Sequence, residues 1–164
     1  MKKILIILAI SISVFACQPD DIPSIGERTD YKPMLAGTWS LVKFEQTDAD
    51  AESKDFPEYA TTKDLTNVFA NHPYTDFSIT FSSDGTFTSN QGSSYVQMLS
   101  GGTWAFDDDN YPSAIVLTSG SSTQTISLGS LADVITGGLE FKAERKQPDT
   151  GKVKIRYTYS LTKN

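Results

Sequence analysis

Val153-Lys154-Ile155-Arg156-Tyr157-Thr158-Tyr159-Ser160-Leu161 is the stretch that decides the fold of this chain. Apolar and polar side chains alternate along its whole length, the period of a strand with one face in a core and one in water. Just upstream, Leu139, Phe141 and Ala143 alternate with Glu140, Lys142 and Glu144. Pairing the two runs across Pro148-Asp149-Thr150-Gly151, with Ala143 opposite Ile155, Phe141 opposite Tyr157 and Leu139 opposite Tyr159, gathers every apolar residue on one face. It also sets Glu144 opposite Lys154, a favourable cross-strand pair. A slip of one residue would turn the apolar set to water.

The same alternation runs outward through the chain. Phe77-Ser78-Ile79-Thr80-Phe81 repeats it, and 38–45, 86–90, 94–99, 103–107, 114–118 and 123–128 are further predicted strands. Asp84-Gly85 suits a tight hairpin. Gly101-Gly102, Asn110-Tyr111-Pro112 and Gly120 mark other turns. Residues 46–73 break the pattern: Leu65, Val68 and Phe69 recur at helical spacing after Thr61-Thr62 and before Asn71-His72-Pro73, predicting a short helix in an early insertion. A second helical turn is predicted at Leu131, Val134 and Ile135, ended by Gly137-Gly138. The reading is an all-β fold of about nine antiparallel strands, best satisfied by a meander β-barrel, since closure hides the edges that template aggregation. A β-sandwich is the alternative, which alternation alone does not separate.

The N-terminus reads differently. Lys2 and Lys3 precede an apolar run over 4–15, shorter than the roughly 20 residues a spanning helix needs. Val14-Phe15-Ala16-Cys17 then places a small residue before the only cysteine of the chain. This is the layout of a secretory signal over 1–16 whose removal exposes Cys17 for lipid attachment. A lone exported cysteine has no intramolecular disulfide partner, and acylation accounts for it; two or more acyl chains give stable anchoring to a membrane. Residues 17–33 carry Pro19, Pro23 and Pro33 among acids and small residues, a lipidated flexible tether. The folded domain is expected over 34–164.

Gln18-Pro19-Asp20-Asp21 resembles the acidic export tag after the cysteine of Bacteroidetes-type surface lipoproteins. That resemblance implies an outer-membrane, lipid-anchored protein displayed on the cell surface. Within the domain, Leu35-Ala36-Gly37-Thr38-Trp39, Phe81-Ser82-Ser83-Asp84-Gly85-Thr86-Phe87 and Gly102-Thr103-Trp104 together resemble small lipocalin-like lipoproteins of the same type, over most of 35–164. The likeness implies a lipocalin-like barrel. In lipocalins, Gly-x-Trp on the first strand closes one end and an arginine from a late strand packs on the tryptophan. Here Gly37 and Trp39 match the motif, and Arg156 is the candidate for the cation, although the hairpin register above aims it outward.

Composition bounds the chemistry. The net charge is −6, and removal of 1–16 takes two lysines and no acid, leaving −8. An acidic domain repels phosphate backbones, which argues against a nucleic-acid partner. The single histidine, His72, lies in a turn sequence without a nucleophile-elbow motif, and a zinc site wants more His or Cys than the chain has. Asp107-Asp108-Asp109-Asn110 fails the EF-hand pattern, with Pro112 and Thr118 where Gly and Glu are needed. Asp84 and Asp107–Asp109 sit in predicted turns, where aspartate bonds its own backbone; paired carboxylates remain the one route to glycoside cleavage. The expectation is a protein without catalytic residues, metal or cofactor. Its aromatic residues fill a core and in part line a cavity for a small apolar or amphipathic ligand. Tyr95, Gln97 and Met98 are placed at the mouth of that cavity, with Trp104, Phe141 and Tyr157 on its walls. A packed barrel that docks an envelope protein is the other reading.

Overall fold

The computed structural model describes residues 29–164. The predicted signal segment 1–16, Cys17 and the acidic run 18–21 lie outside the described residues, as does most of the predicted tether. A short helix, α1 (Lys32–Leu35), begins within the last residues assigned to that tether and leads into strand β1 (Gly37–Asp48).

The insertion after β1 holds helices α2 (Ala49–Glu52) and α3 (Glu58–Thr61), a short strand β2 (Thr62–Asp64) and a 3-10 turn at Tyr74–Asp76. The remaining strands are β3 (Ser78–Phe81), β4 (Thr86–Asn90), β5 (Gly101–Phe106), β6 (Ala114–Ser119), β7 (Ser122–Leu128), β8 (Gly138–Lys146) and β9 (Val153–Lys163). Helix α4 (Leu131–Ile135) stands before β8, where the apolar spacing predicts it. Each strand from β3 to β9 pairs antiparallel with the next, and β9 returns to β1. The result is a closed up-and-down barrel of eight strands, with β2 laid against β1 outside the ring. Closure decides between barrel and sandwich.

The interior is aromatic. Trp39, Phe44, Phe77, Phe81, Phe87, Phe141 and Tyr159 are fully buried with Ile79, Ile115, Leu117 and Ile126 between them. β1 departs from strict alternation because it bulges between Leu41 and Lys43 against β9. The extra residue, Val42, is expelled to solvent at 58% exposure. The inward set therefore passes from Trp39 and Leu41 to Phe44, as a bulge requires.

Four sequence expectations are corrected. The β8–β9 register is shifted by two: Ala143 faces Tyr157, Phe141 faces Tyr159, Leu139 faces Leu161 and Glu144 faces Arg156. The loop closes wider than the Pro-Asp-Thr-Gly turn suggests, with the Gln147 amide donating to Lys152 O at 2.8 Å, and a bulge beside it leaves Lys154 out of the ladder. Because side chains alternate with period two, an even shift keeps every residue on its face. Second, no helix forms at Leu65, Val68 and Phe69. β3 pairs only with the first part of β1, so the rest of that strand edge recruits Thr62–Asp64, and Leu65 N and Phe44 O bond at 2.8 Å. Leu65 is buried while Val68 and Phe69 are not, so they share no face.

Third, 94–99 is irregular and not a strand; its groups are bonded individually, the Met98 amide to Gln91 Oε1 at 3.0 Å and the Leu99 amide to Gln124 Oε1 at 3.2 Å. Fourth, Gly101-Gly102 opens β5 and is not a turn. Gly102 has φ +151°, and a Cβ there would lie 1.9 Å from Thr118 O. Only glycine allows β5 and β6 to approach so closely.

Candidate functional site

The barrel has a closed end and an open one. At the closed end α1 lies under the first turn of the barrel, Leu35 is buried, and the Trp39 indole N–H donates to Leu35 O at 2.8 Å. Gly37 and Trp39 occupy the positions the lipocalin-like motif implies. The cation is different. Lys163, at the end of β9, sits 5.3 Å from the Trp39 ring and donates to Met34 O at 2.8 Å. Arg156 lies on the outer face near the opposite end, bonded to Glu52 at 2.7 Å and 3.9 Å from Glu144. The expectation that Arg156 covers Trp39 is therefore replaced by Lys163, for a reason the register supplies: Arg156 falls on the polar face of β9.

At the other end the loop 91–100 and the upper rungs of β8 and β9 bound an open cleft of about 300 Å³. Tyr95, Gln97, Met98 and Tyr157 line it. Trp104 and Phe141 do not. Trp104 is near the closed end, 5.3 Å from Phe81 and donating to Ser82 O at 3.1 Å. Phe141 lies below the cleft, stacked on Tyr159 at 4.8 Å. Both are packing residues.

Three residues that sequence reading left out of the site help build it. Ala143 follows Leu139 and Phe141 on the inward stripe of β8, and the drop in size there opens the space. Arg145 is the next inward position on that stripe and stands at the rim. Tyr159 forms the floor at 1% exposure, clamped by Phe44 at 4.7 Å, Phe77 at 5.1 Å and Phe141. The signal for the first two was present in the alternation, where the inward series Leu-Phe-Ala-Arg breaks from large apolar to small and then charged.

The floor carries an electrostatic anomaly. The Tyr159 hydroxyl is buried and has no hydrogen-bond partner among the described residues. Burial pushes its pKa well above the usual tyrosine range, with Tyr74 and Tyr157 adding to the effect. It is a neutral O–H closed off from solvent, and such a group costs about 1–3 kcal/mol when nothing meets it.

Aromatic residues continue onto the rim. Phe69 meets Tyr95 edge-on at 5.2 Å, and the His72 ring is 4.3 Å from Tyr95 with Nδ1 2.7 Å from Ser93 O. Tyr95 is exposed there.

Other candidates are accounted for by structure. A recess of about 410 Å³ on the outer wall, between α2, α3 and β8–β9, is polar, and its Arg156 and Glu52 neutralise each other. Asp107 accepts from the Ser113 and Ala114 amides at 2.9 Å and from Ser113 Oγ at 2.5 Å. Those bonds, with the Ser113 hydroxyl first, hold its pKa down at about 2. Asp108 accepts from the Asn110 and Tyr111 amides. These carboxylates shape their own loop. Asp84 likewise binds Thr86. Among the described residues no group of three His, Cys, Asp or Glu side chains converges on a metal-sized site.

A ring of eight antiparallel strands joined in sequence order, plugged at one end and cleft at the other, is a lipocalin-like β-barrel. Residues 16–162 match the family described as "Domain of unknown function (DUF5004)", and the chain belongs to that family. No curated protein and no solved structure matches it.

Proposed function

We propose that this is a non-enzymatic binding lipoprotein, held on the outer membrane through acyl chains on Cys17, whose barrel mouth holds a small apolar or amphipathic ligand. The observation that carries the reading is the Tyr159 hydroxyl, buried and without a hydrogen-bond partner among the described residues, on a residue that lines a cleft of about 300 Å³. Folding leaves such a group unsatisfied only at a cost, and a ligand that hydrogen-bonds it recovers that cost. Binding sites combine apolar surface with a few placed polar groups, and here Met98 and Ala143 share the lining with Gln97, Gln124, Glu144 and Arg145, a mixture that suits an amphipathic ligand. The domain works as a carrier or sensor standing off the bilayer, its acidic body repelled by anionic headgroups.

The second reading, docking of an envelope protein, is favoured by the exposed pair Phe69 and Tyr95 beside the same cleft. Native mass spectrometry of the lipidated chain purified from its own envelope separates the two. A reproducible small bound mass supports carriage, and a co-purifying protein supports docking. Loss of the acyl mass and of membrane partitioning in Cys17→Ala tests the anchor; a variant that keeps its membrane attachment defeats that part.

A further inference from the structure

Lys142, Lys146, Lys152, Lys154 and Arg156 surround the open end of the barrel, and each pairs with a carboxylate: Glu140, Glu144, Asp50, Asp50 and Glu52. Arg145 stands among them and makes no ion pair among the described residues. The pleat explains the difference. Residues 142, 144 and 146 face outward on β8, where the acids are, while Arg145 continues the inward series of Leu139, Phe141 and Ala143. Glu144, which also borders the cleft, is engaged by Lys146 at 3.6 Å and Arg156 at 3.9 Å. In a chain of net charge −6, the inner rim thus presents a permanent cation whose planar fork matches a carboxylate.

Arg145 lies four residues above Phe141, the partner of Tyr159, so rim and floor are separated by about 13 Å of strand. Arg145 and Tyr159 both line the cleft, together with Ala143, Met98 and Tyr157. We infer that the occupant of the cleft is a small organic monoanion with an apolar body, its acid group paired with Arg145 and its inner end hydrogen-bonded to the Tyr159 hydroxyl. The inference rests on the reading of the cleft as a ligand site and adds the chemical class and the orientation.

The test uses two probes of one shape, 3-(4-hydroxyphenyl)propionate and its neutral amide, titrated into the full chain in nanodiscs. Binding is read from the methyl resonances of Met98 and Ala143. The acid is expected to bind at least ~10-fold more tightly than the amide, a difference of about 1.4 kcal/mol. Arg145→Gln should weaken the acid far more than the amide and so remove that difference, and Tyr159→Phe should weaken both probes equally. Equal binding of acid and amide that Arg145→Gln does not alter overturns the anion assignment and leaves the cleft as a site. Undiminished binding by Tyr159→Phe shows that the probe does not reach the hydroxyl and overturns the orientation. Silence from both methyls at tens of millimolar probe defeats the cleft reading itself, and the inference with it.

Discussion

Lys163 reaches across the backbone of Gly37 to place its ammonium 5.3 Å from the Trp39 ring. A Cβ on Gly37 would meet Lys163 Cε at 2.6 Å, and the residue has φ +135°. The glycine of the Gly-Thr-Trp motif is thus explained by the lysine as much as by its own backbone. Cation, ring and the α1 carbonyl of Met34 form one plug at the closed end.

That plug gives a discriminating pair of variants. Lys163→Met should destabilise by about 0.5–1 kcal/mol through loss of the cation–π contact and shift the emission of Trp39. Arg156→Ala should leave tryptophan emission unchanged, since its charge is spent on Glu52 and Glu144. Urea unfolding followed by fluorescence checks both; an emission shift with Arg156→Ala would contradict the assignment.

Gly102→Ala should be among the most damaging single changes in the domain. The new methyl would overlap Thr118 O at 1.9 Å in a backbone region that L side chains avoid, so β5 and β6 must separate. A loss of about 3 kcal/mol or more is expected, read as a fall in Tm or as failure to accumulate folded protein. Gly120→Ala, with nothing within 4 Å of its added carbon, should cost less and serves as the comparison.

Tyr159→Phe removes the unpartnered hydroxyl and keeps the ring against Phe44 and Phe141. In the ligand-free protein it should be neutral or stabilising by about 1 kcal/mol, measured by equilibrium denaturation. A destabilisation of that size would reveal a partner for the hydroxyl and remove the main support for the ligand site.

Asp107 should leave a mark on the acid limb of stability. Its folded pKa is depressed from 3.8 to about 2 by the Ser113 and Ala114 bonds. The stability it contributes is therefore present above its unfolded pKa and is lost as pH falls from about 4 to about 2. Asp107→Ala should cost about 1 kcal/mol at neutral pH, and the difference from the parent chain should shrink across that window. Paired denaturation curves from pH 2 to 6 check it.

Ala143→Phe extends the large inward series Leu139-Phe141 by one rung. It should fill the cleft, abolish binding of any mouth ligand and leave the barrel folded, as circular dichroism and the native mass measurement would show together. Retained ligand would place the site elsewhere.

Period two in 139–144 and 153–161 was enough to determine the strands, their inward faces and the all-β class, because alternation is a local consequence of the pleat. The same logic placed Tyr157 at the inner wall and Arg156 on the outer one. Sequence reasoning expects Tyr95, Gln97 and Met98 at the mouth, but on a strand over 94–99 that does not form. Local pattern carries no information on which edge a strand finds. Only the tertiary structure decided that β9 closes on β1, that Val42 and Lys154 leave the ladder and shift the pairing, and that the exposed edge of β1 takes 62–64 as a strand in place of a helix. The site divides in the same way. Arg145 and Ala143 belong to a stripe visible in the sequence. That, among the described residues, the Tyr159 hydroxyl is stranded and Arg145 has no ion pair follows from what long-range closure places, or fails to place, beside them.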